Sequence, residues 1–410
     1  MEYKISKFHW FDKIPQHWQE SKISYLFDIG RGRVIAGPEL KEDGLYPVYS
    51  SQTKNDGCMG MIDTYDFDDD LITWTTDGAN AGTVFIRSGK FNCTNVCGTL
   101  KPGIDLNLKY YYYYLQFATQ FYKRPDTNGA KIMNNEMASV HALIPPISEQ
   151  SQIAAFLDRK TAQIDTIIEK KQKLLQLLDE KKKSVINEAV TGQKVWNGNA
   201  WVEAAEVKDS GEERIGKIPK DWDVSKLKYL VDVNSNVTIP SIDFKISLDN
   251  IESGTGKLKS NDSSEFEGMG NYYKPKDVLF NKLRPYLAKV YLADHYGCSV
   301  GELLVFTPNE DLNSKFLFYS ILSESFINEV DSSTYGAKMP RASWSFIGNL
   351  GISFPTLSEQ ERIVRYLDNR ISVFEMLTDK LTEQIAKLKE YRQSLISEAV
   401  TGKIDISNFN

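Results

Sequence analysis

The side chains that most often carry chemistry are few and scattered in this chain. Its four histidines, His9, His17, His141 and His295, stand at no spacing that a metal site or a nucleophile–base–acid triad uses. Cys93 and Cys97 lie four apart, but with Cys58 and Cys298 they form no second pair to complete a zinc set. They read as thiols of a reducing compartment. Gly254-Thr255-Gly256-Lys257 lacks the upstream glycine and the following Ser/Thr of a phosphate-binding loop. No Gly-rich turn follows a strand in the dinucleotide pattern. A self-contained methyltransferase would need a cofactor-binding strand–loop motif and an Asn/Asp-Pro-Pro-aromatic tetrad, and neither is present. Asp68-Asp69-Asp70 reads as a solvated loop and Gly30-Arg31-Gly32-Arg33 as a basic turn. The chain shows no visible catalytic apparatus, and what remains are polar loops. Lys123-Arg124, Thr127-Asn128-Gly129-Ala130-Lys131 and Asn134-Asn135 form a polar, basic, Gly-containing segment, and Ser332-Ser333-Thr334-Tyr335-Gly336-Ala337-Lys338-Met339-Pro340-Arg341 is a second. Each is either a solvated loop or a contact to phosphate and base edges.

The elements that must position these loops occur twice. Ile14-Pro15-Gln16-His17-Trp18 returns as Ile218-Pro219-Lys220-Asp221-Trp222, at an offset of 204. Ile-Pro is an extended entry that cannot be helical, and both tryptophans are expected to pack at a domain edge. Leu71-Ile72-Thr73-Trp74 and Thr83-Val84-Phe85-Ile86, beside the turn signals Asp77-Gly78 and Ser88-Gly89, read as strands. Their counterparts are Val278-Leu279-Phe280 and Ala288-Lys289-Val290-Tyr291-Leu292, and Leu303-Leu304-Val305-Phe306 matches the stretch around Gly98-Thr99-Leu100. Five tyrosines, Tyr110 to Tyr114, suggest either base stacking or a helix packed on a sheet. The counterpart, Lys315-Phe316-Leu317-Phe318-Tyr319, loses most tyrosines but stays apolar, which favours packing.

The strictest copies are two long runs. Ser148-Glu149-Gln150 opens one and Ser358-Glu359-Gln360 the other; they end at Glu188-Ala189-Val190-Thr191-Gly192 and Glu398-Ala399-Val400-Thr401-Gly402, all 210 residues apart. Ser148 and Ser358 are candidate N-caps, Ser358 with Glu361 as a capping box, and Gly192 and Gly402 suit the position past a helix end. In the second run apolar residues recur every three or four positions, the spacing of a coiled-coil seam: Ile363, Leu367, Ile371, Phe374, Leu377, Leu381, Ile385, Leu388 and Tyr391; the first run shows Ile153, Leu157, Ile164, Ile168, Leu174 and Leu178. Lys170, Lys171 and Lys181 to Lys183 are assigned to outer faces. A helix of about 43 residues spans roughly 64 Å and needs a partner along that length. The economical partner is the other copy, antiparallel, holding two globular domains apart; separate packing on each domain or on a second chain is the alternative.

The totals fit this plan. A chain of 410 residues, 41% hydrophobic and 25% charged, holds two or three domains. No run of about 18 apolar residues predicts a membrane span, and the first residues lack the apolar core of a signal peptide, so a cytoplasmic protein is expected. The net charge of −6 argues against a dedicated nucleic-acid binder, leaving a local basic face or a partner to meet phosphates.

Two similar domains, Ile-Pro-x-x-Trp entries, Ser-Glu-Gln helix entries after Pro145-Pro146 and Pro355, Glu-Ala-Val-Thr-Gly exits and the Asp209-Ser210-Gly211 linker together resemble the DNA specificity subunit of type I restriction-modification systems. The resemblance covers essentially the whole chain. It implies a pseudo-twofold α/β (α+β) protein: target recognition domains over 1–147 and 193–357 (the latter with its linker), and antiparallel spacer helices over 148–192 and 358–410 (the latter with the tail) forming an intramolecular coiled coil. Each domain would read half of a bipartite double-stranded DNA site. The helices would set the half-site spacing and dock two methyltransferase subunits. Those partners would carry S-adenosylmethionine and methylate flipped-out adenine, and a restriction subunit using ATP and Mg would complete the nuclease. The chain itself would bind no cofactor and catalyse nothing. The alternative is a coiled-coil scaffold without DNA specificity, which the acidic balance favours.

On the resemblance, the DNA-reading candidates are polar and basic residues of the matched loops. They are Arg31, Arg33, Thr76, Asp77, Asn80, Lys123, Arg124, Asn128 and Lys131 in the first domain, and Lys282, Arg284, Tyr286, Lys289, Tyr335, Lys338 and Arg341 in the second. Arg and Lys suit guanine edges and Asn suits adenine, the remainder holding phosphate. Lys131 and Lys338, each after Gly-Ala, stand out as the matched pair.

Overall fold

In the computed structural model the described residues are 2–7, 12–127, 129–234, 237–238, 244–259, 270–336 and 338–406. They form two compact units: Met1–Gln172 with Thr382–Asn410, and Lys173–Leu381.

The first unit is built on an antiparallel sheet in the order Val84–Arg87, Leu71–Thr75, Cys97–Pro102, Phe27–Arg31. Leu71–Thr75 is buried at every position, as a β-branched and aromatic run between neighbours demands. A second sheet, Cys58–Ile62, Tyr46–Tyr49, Lys90–Cys93 and Phe67–Asp68, contains one parallel pairing. The tyrosine run forms the helix Leu108–Ala118, and four of its five tyrosines are buried, so the run is packing and not a stacking platform. Trp18 is buried, and its Nε1 donates to Glu149 at 3.1 Å.

The second unit repeats this order as Val290–Leu292, Val278–Asn281, Leu303–Pro308, Val231–Asn234. Its aromatic helix is Ser314–Leu322 and its entry tryptophan, Trp222, is again buried. It also carries the hairpin Lys194–Trp196 with Trp201–Glu203, and Trp201 stacks on Tyr366 at 4.2 Å.

The long helices span Ile147–Val190 and Leu357–Val400, 44 residues each. Both begin one residue before the serines, so Ser148 and Ser358 are not N-caps. The entry is fixed instead by the buried glutamines. Gln150 donates to the Pro145 carbonyl at 2.9 Å and accepts from Asn107 N at 2.9 Å. Gln360 does the same with Pro355 at 2.9 Å and Asn313 N at 2.7 Å. Two turns further on, Asp158 binds Lys109 and the Tyr113 hydroxyl at 2.6 and 2.8 Å, and Asp368 binds Lys315 and Tyr319 at 2.8 and 2.6 Å.

Each unit holds half of both helices. In the first, Arg392 grips Asp165 at 2.9 and 3.2 Å, and Lys171 donates to Gln384 at 2.6 Å. One index rises as the other falls, so these halves run antiparallel. In the second unit Lys182 faces Glu375, with burial lowering its pKa and Glu375 opposing that shift. Lys182 and Glu375 stand 210 residues from Arg392 and Asp165, so they hold the matching places with the helices exchanged, but here Glu375 pairs with Lys257 at 2.8 Å.

Most expected seam residues are buried: Ile153, Leu157, Ile164, Ile168, Ile363, Leu367, Phe374, Leu381 and Ile385. Leu178, Ile371 and Leu388 are half-buried. Leu174 does not belong to the seam and is 45% exposed. From Ile168 the inward positions step through Lys171, Leu175, Leu178 and Lys182 to Val185, which moves Leu174 outward and Lys182 inward. In the second helix Leu377 and Tyr391 are likewise exposed, and Arg392 takes the inward place beside Tyr391.

The helix exits show why glycine stands there. Gly192 and Gly402 adopt φ of +76° and +71°. A Cβ on Gly192 would lie 2.4 Å from Pro219 Cδ, and one on Gly402 2.5 Å from Pro15 Cγ. Each exit therefore docks on an Ile-Pro-x-x-Trp entry. Gly192→Ala and Gly402→Ala are each expected to destabilise the chain by at least about 1–3 kcal/mol. A thermal melt checks this, and an unchanged midpoint for both variants contradicts it.

Candidate nucleic-acid interface

The polar loops converge where the central strands end. In the first unit Thr76 leaves the strand Leu71–Thr75, and its N and Oγ1 both donate to the Val96 carbonyl, at 3.0 and 3.1 Å. Its own carbonyl accepts from Ile132 N at 2.8 Å. Thr76 is thus fully buried and fastens the loops without facing solvent. Beyond it Asp77–Gly78, Gly129–Lys131 and Arg124–Asp126 form a three-stranded ribbon in which Asp77 and Arg124 both pair with Lys131. Trp74 Nε1 donates to the Ile132 carbonyl at 2.8 Å and ties the ribbon to the core.

Around this ribbon stand the other candidates. Asn80 donates to Ser51 O at 3.2 Å, and Arg31 reaches the Asn95 carbonyl from the end of its strand. Asn134, which the sequence had placed only in a polar segment, donates to Gly30 O at 3.2 Å. Lys123 is half-buried, its stem against Gly82, and burial lowers its pKa. Arg33 lies apart, held by Asp66 and Glu39 at 3.0 and 3.1 Å, and the Glu39 bond raises its pKa. Asn128 lies outside the described residues.

The second unit rebuilds the frame with other side chains. Lys282 N donates to Glu302 O at 3.2 Å, and Lys282 O accepts from Ala342 N at 2.9 Å, so Lys282 stands where Thr76 stands. Leu283 and Tyr335 both bridge to Arg341, as Asp77 and Arg124 pair with Lys131. The counterpart of Lys131 is therefore Arg341. The Gly-Ala-Lys likeness misleads, because Lys338 falls three residues before Arg341, on an exposed stretch ahead of the bridge. Arg284 adopts a left-handed backbone with φ of +51°, and its N donates to Pro340 O at 2.7 Å. Tyr286 is 53% exposed. Lys289 is buried, donates to the Leu248 carbonyl at 2.6 Å and has its pKa lowered by burial, so it does not face solvent.

Charge at these loops is largely balanced within the chain. Lys131 meets Asp126 at 3.2 Å, Arg124 meets Glu136 at 3.0 Å and Arg341 meets Glu302 at 2.6 Å. Arg31, Lys282 and Lys338 have no acid within ion-pair distance among the described residues. This is how a chain of net charge −6 presents basic side chains without a basic surface.

One residue that the motifs did not single out shapes the first unit's loops. Arg87 is buried, stacks on the Tyr49 ring at 3.6 Å and bonds both the carboxylate and the carbonyl of Asp56, at 2.6 and 2.7 Å. It thereby holds Asn55 and Asp56 in consecutive left-handed conformations, at φ of +49° and +53°. An arginine in an otherwise apolar strand, Val84-Phe85-Ile86-Arg87, was the available signal. The described residues contain no group of three or more His, Cys, Asp or Glu placed to hold a metal, and no helix among them is long and apolar enough to cross a membrane.

Comparison with known proteins agrees with this layout. The chain matches the type I restriction modification DNA specificity domain twice, over residues 15–176 and 219–387. It is 22% identical to the type I restriction enzyme EcoDI specificity subunit of Escherichia coli, over 96% of this chain and 90% of that protein. To the MjaVIII specificity subunit of Methanocaldococcus jannaschii it is 26% identical, over 97% and 95%. Among solved structures, a chain from a study of assembly and conformational transition in the type I R-M system aligns with a TM-score of 0.65 at 15% identity, over 96% of this chain and all of that one. The HsdS subunit of Thermoanaerobacter tengcongensis aligns with a TM-score of 0.50 at 16% identity, over 95% and 98%. With two family domains filling most of its length, the chain belongs to the type I restriction-modification DNA specificity family.

Proposed function

We propose that this chain is the sequence-reading subunit of a type I restriction-modification complex. Residues 1–147 and 193–357 carry the recognition domains, and the helices over 148–192 and 358–410 act as spacer and docking platform. The observation that carries the reading is one hydrogen-bonded loop frame filled with different side chains. Thr76, Asp77, Arg124 and Lys131 in one unit stand where Lys282, Leu283, Tyr335 and Arg341 stand in the other. A shared frame with unlike side chains suits two unlike half-sites of double-stranded DNA. Lys131, Arg341 and Lys282 are the first candidates for base edges, with Arg31, Arg124, Asn80 and Lys338 flanking them. The buried Thr76 and Lys289 position the loops.

The helices set the distance between half-sites and receive two copies of a methyltransferase subunit. Those copies supply S-adenosylmethionine and methylate adenine, and restriction subunits add the ATP-dependent nuclease. This chain contributes binding and orientation only, in the cytoplasm. Because several bases are already paired with acids, part of the phosphate contact falls to the partners. The same internal neutralisation would suit a scaffold without DNA specificity. If no purified combination of the chain with its methyltransferase binds DNA sequence-selectively, that second reading replaces the first.

Lys131→Ala and Arg341→Ala should each weaken binding by about 1–3 kcal/mol and relax preference within one half-site only, a different half for each variant. Selection of bound sequences from a random duplex pool checks this. Unchanged affinity and preference for both variants would remove them from the interface. Inserting seven residues into the first long helix should change the preferred half-site spacing or abolish binding, with the recognition domains still folded by circular dichroism. An unaltered spacing would mean that the helices are not the ruler.

A further inference from the structure

The two copies differ where they are proposed to read DNA, yet the segment that enters each recognition domain keeps an exposed set of side chains unchanged. Lys22, Tyr25 and Asp28 return as Lys226, Tyr229 and Asp232, each 204 residues on, and all six are exposed. The tyrosines are 75% and 67% exposed, so packing within the chain does not require them. Among the other exposed pairs of the segment Lys13 is kept as Lys217, whereas Gln16 becomes Lys220, His17 becomes Asp221, Gln19 becomes Asp223 and Ser24 becomes Lys228. Retention is therefore selective within the segment and does not follow from exposure or common ancestry alone.

The backbone frame beneath the set is the same in both units. Gln19–Lys22 pairs with His141–Ile144, the strand that leads into the first long helix, and Asp223–Lys226 pairs with Gly351–Phe354 before the second. Ile23 N donates to Val140 O at 2.8 Å, and Leu227 N to Leu350 O at 2.9 Å. Tyr25 and Tyr229 sit on the helical turns that follow, Ile23–Tyr25 and Leu227–Leu230. The strand after Tyr25, Phe27–Arg31, is five residues long, and Arg31 is at its far end. That places the tyrosine about 17 Å or more from the reading loops. An acid retained beside a lysine in both copies also makes a poor phosphate surface.

We propose that Tyr25 with Lys22 and Asp28, and Tyr229 with Lys226 and Asp232, are two equivalent docking points for two copies of one protein, the methyltransferase subunit. This rests on the reading given above and extends the docking surface from the helices onto each recognition domain. The partner's face would offer a slot with a hydrogen-bond partner for the phenol, an acid opposite the lysine and a base opposite the aspartate. A rigid, amphipathic tyrosine is the side chain that most often anchors such contacts. A surface that must meet the same partner twice cannot drift in one copy alone, and this accounts for identity here beside divergence in the loops.

The test uses the full chain purified with its methyltransferase subunit, with bound copies counted by native mass spectrometry and affinity measured by titration. Tyr25→Ala and Tyr229→Ala should each weaken one of the two copies about tenfold or more, giving a predominant species with one copy, and the double variant should weaken both. Lys22→Glu with Lys226→Glu should do the same, while Gln16→Ala with Lys220→Ala should retain two copies at full affinity. A thermal melt of each variant verifies folding. If the wild-type chain takes up two copies and the double tyrosine variant does so equally tightly, the inference fails and the reading of the protein stands. If the tyrosine variants keep both copies but lose sequence-selective DNA binding, the face belongs to DNA and the inference fails. If the wild-type chain takes up no methyltransferase subunit, the underlying reading fails with it.

Discussion

An amphipathic helix of 44 residues carries an apolar stripe that it cannot cover alone, and this chain has two of them. Within each compact unit, half of one helix is covered by half of the other and by the globular domain that they join. The ends are then fixed by polar contacts whose loss would strand buried groups. Gln150 and Gln360 bridge the helix entry to the start of the aromatic helix. At the exits, the Val400 carbonyl accepts from the Tyr110 hydroxyl at 3.1 Å and the Val190 carbonyl from Ser353 at 3.2 Å, two solutions to one orphaned acceptor. The loops are free to vary because nothing in this bracket depends on their side chains.

That freedom explains the electrostatics. A chain of net charge −6 cannot bind DNA through a general basic field. Several of its candidate bases, Lys131, Arg124 and Arg341, stand in ion pairs at or near the surface, which contribute little to stability and exchange readily for a phosphate or a base edge. Burial is kept for groups that shape the loops. Arg87 is desolvated but stacked and doubly bonded to Asp56, and Thr76 spends both its backbone groups and its hydroxyl on neighbouring loops.

Much of this was legible in the sequence, because repetition reports on whatever both copies need. Trp18 and Trp222 recur at an offset of 204, and Gly192 and Gly402, Ile153 and Ile363, and Leu157 and Leu367 at 210, and all are fixed by packing. The aromatic helix was legible as packing because Phe316 replaces a tyrosine without loss of apolar character. The helix starts were misjudged because serine is a common cap, whereas here a buried glutamine does the tethering. Leu174 was misplaced because adjacent leucines, Leu174 and Leu175, leave the phase of the seam open to pattern reading alone. The pairing of Lys131 with Lys338 failed for a different reason. In the second loop Gly-Ala-Lys stands three residues ahead of the bridging position, and only the hydrogen bonds of Ile132 and Ala342 and the bridges to Arg341 reveal it. Burial of Thr76 and Lys289 was invisible, since polar residues at a strand end read as exposed until their acceptors are known.

The central claim is that one frame, built twice, reads two different half-sites for an adenine-modifying complex. The most direct measurement is the adenine methylation map of the host genome with this gene present and deleted. The account predicts a bipartite motif with two unlike halves at fixed spacing, methylated only when the gene is present. Identical maps, or a lost motif that is palindromic, would contradict it.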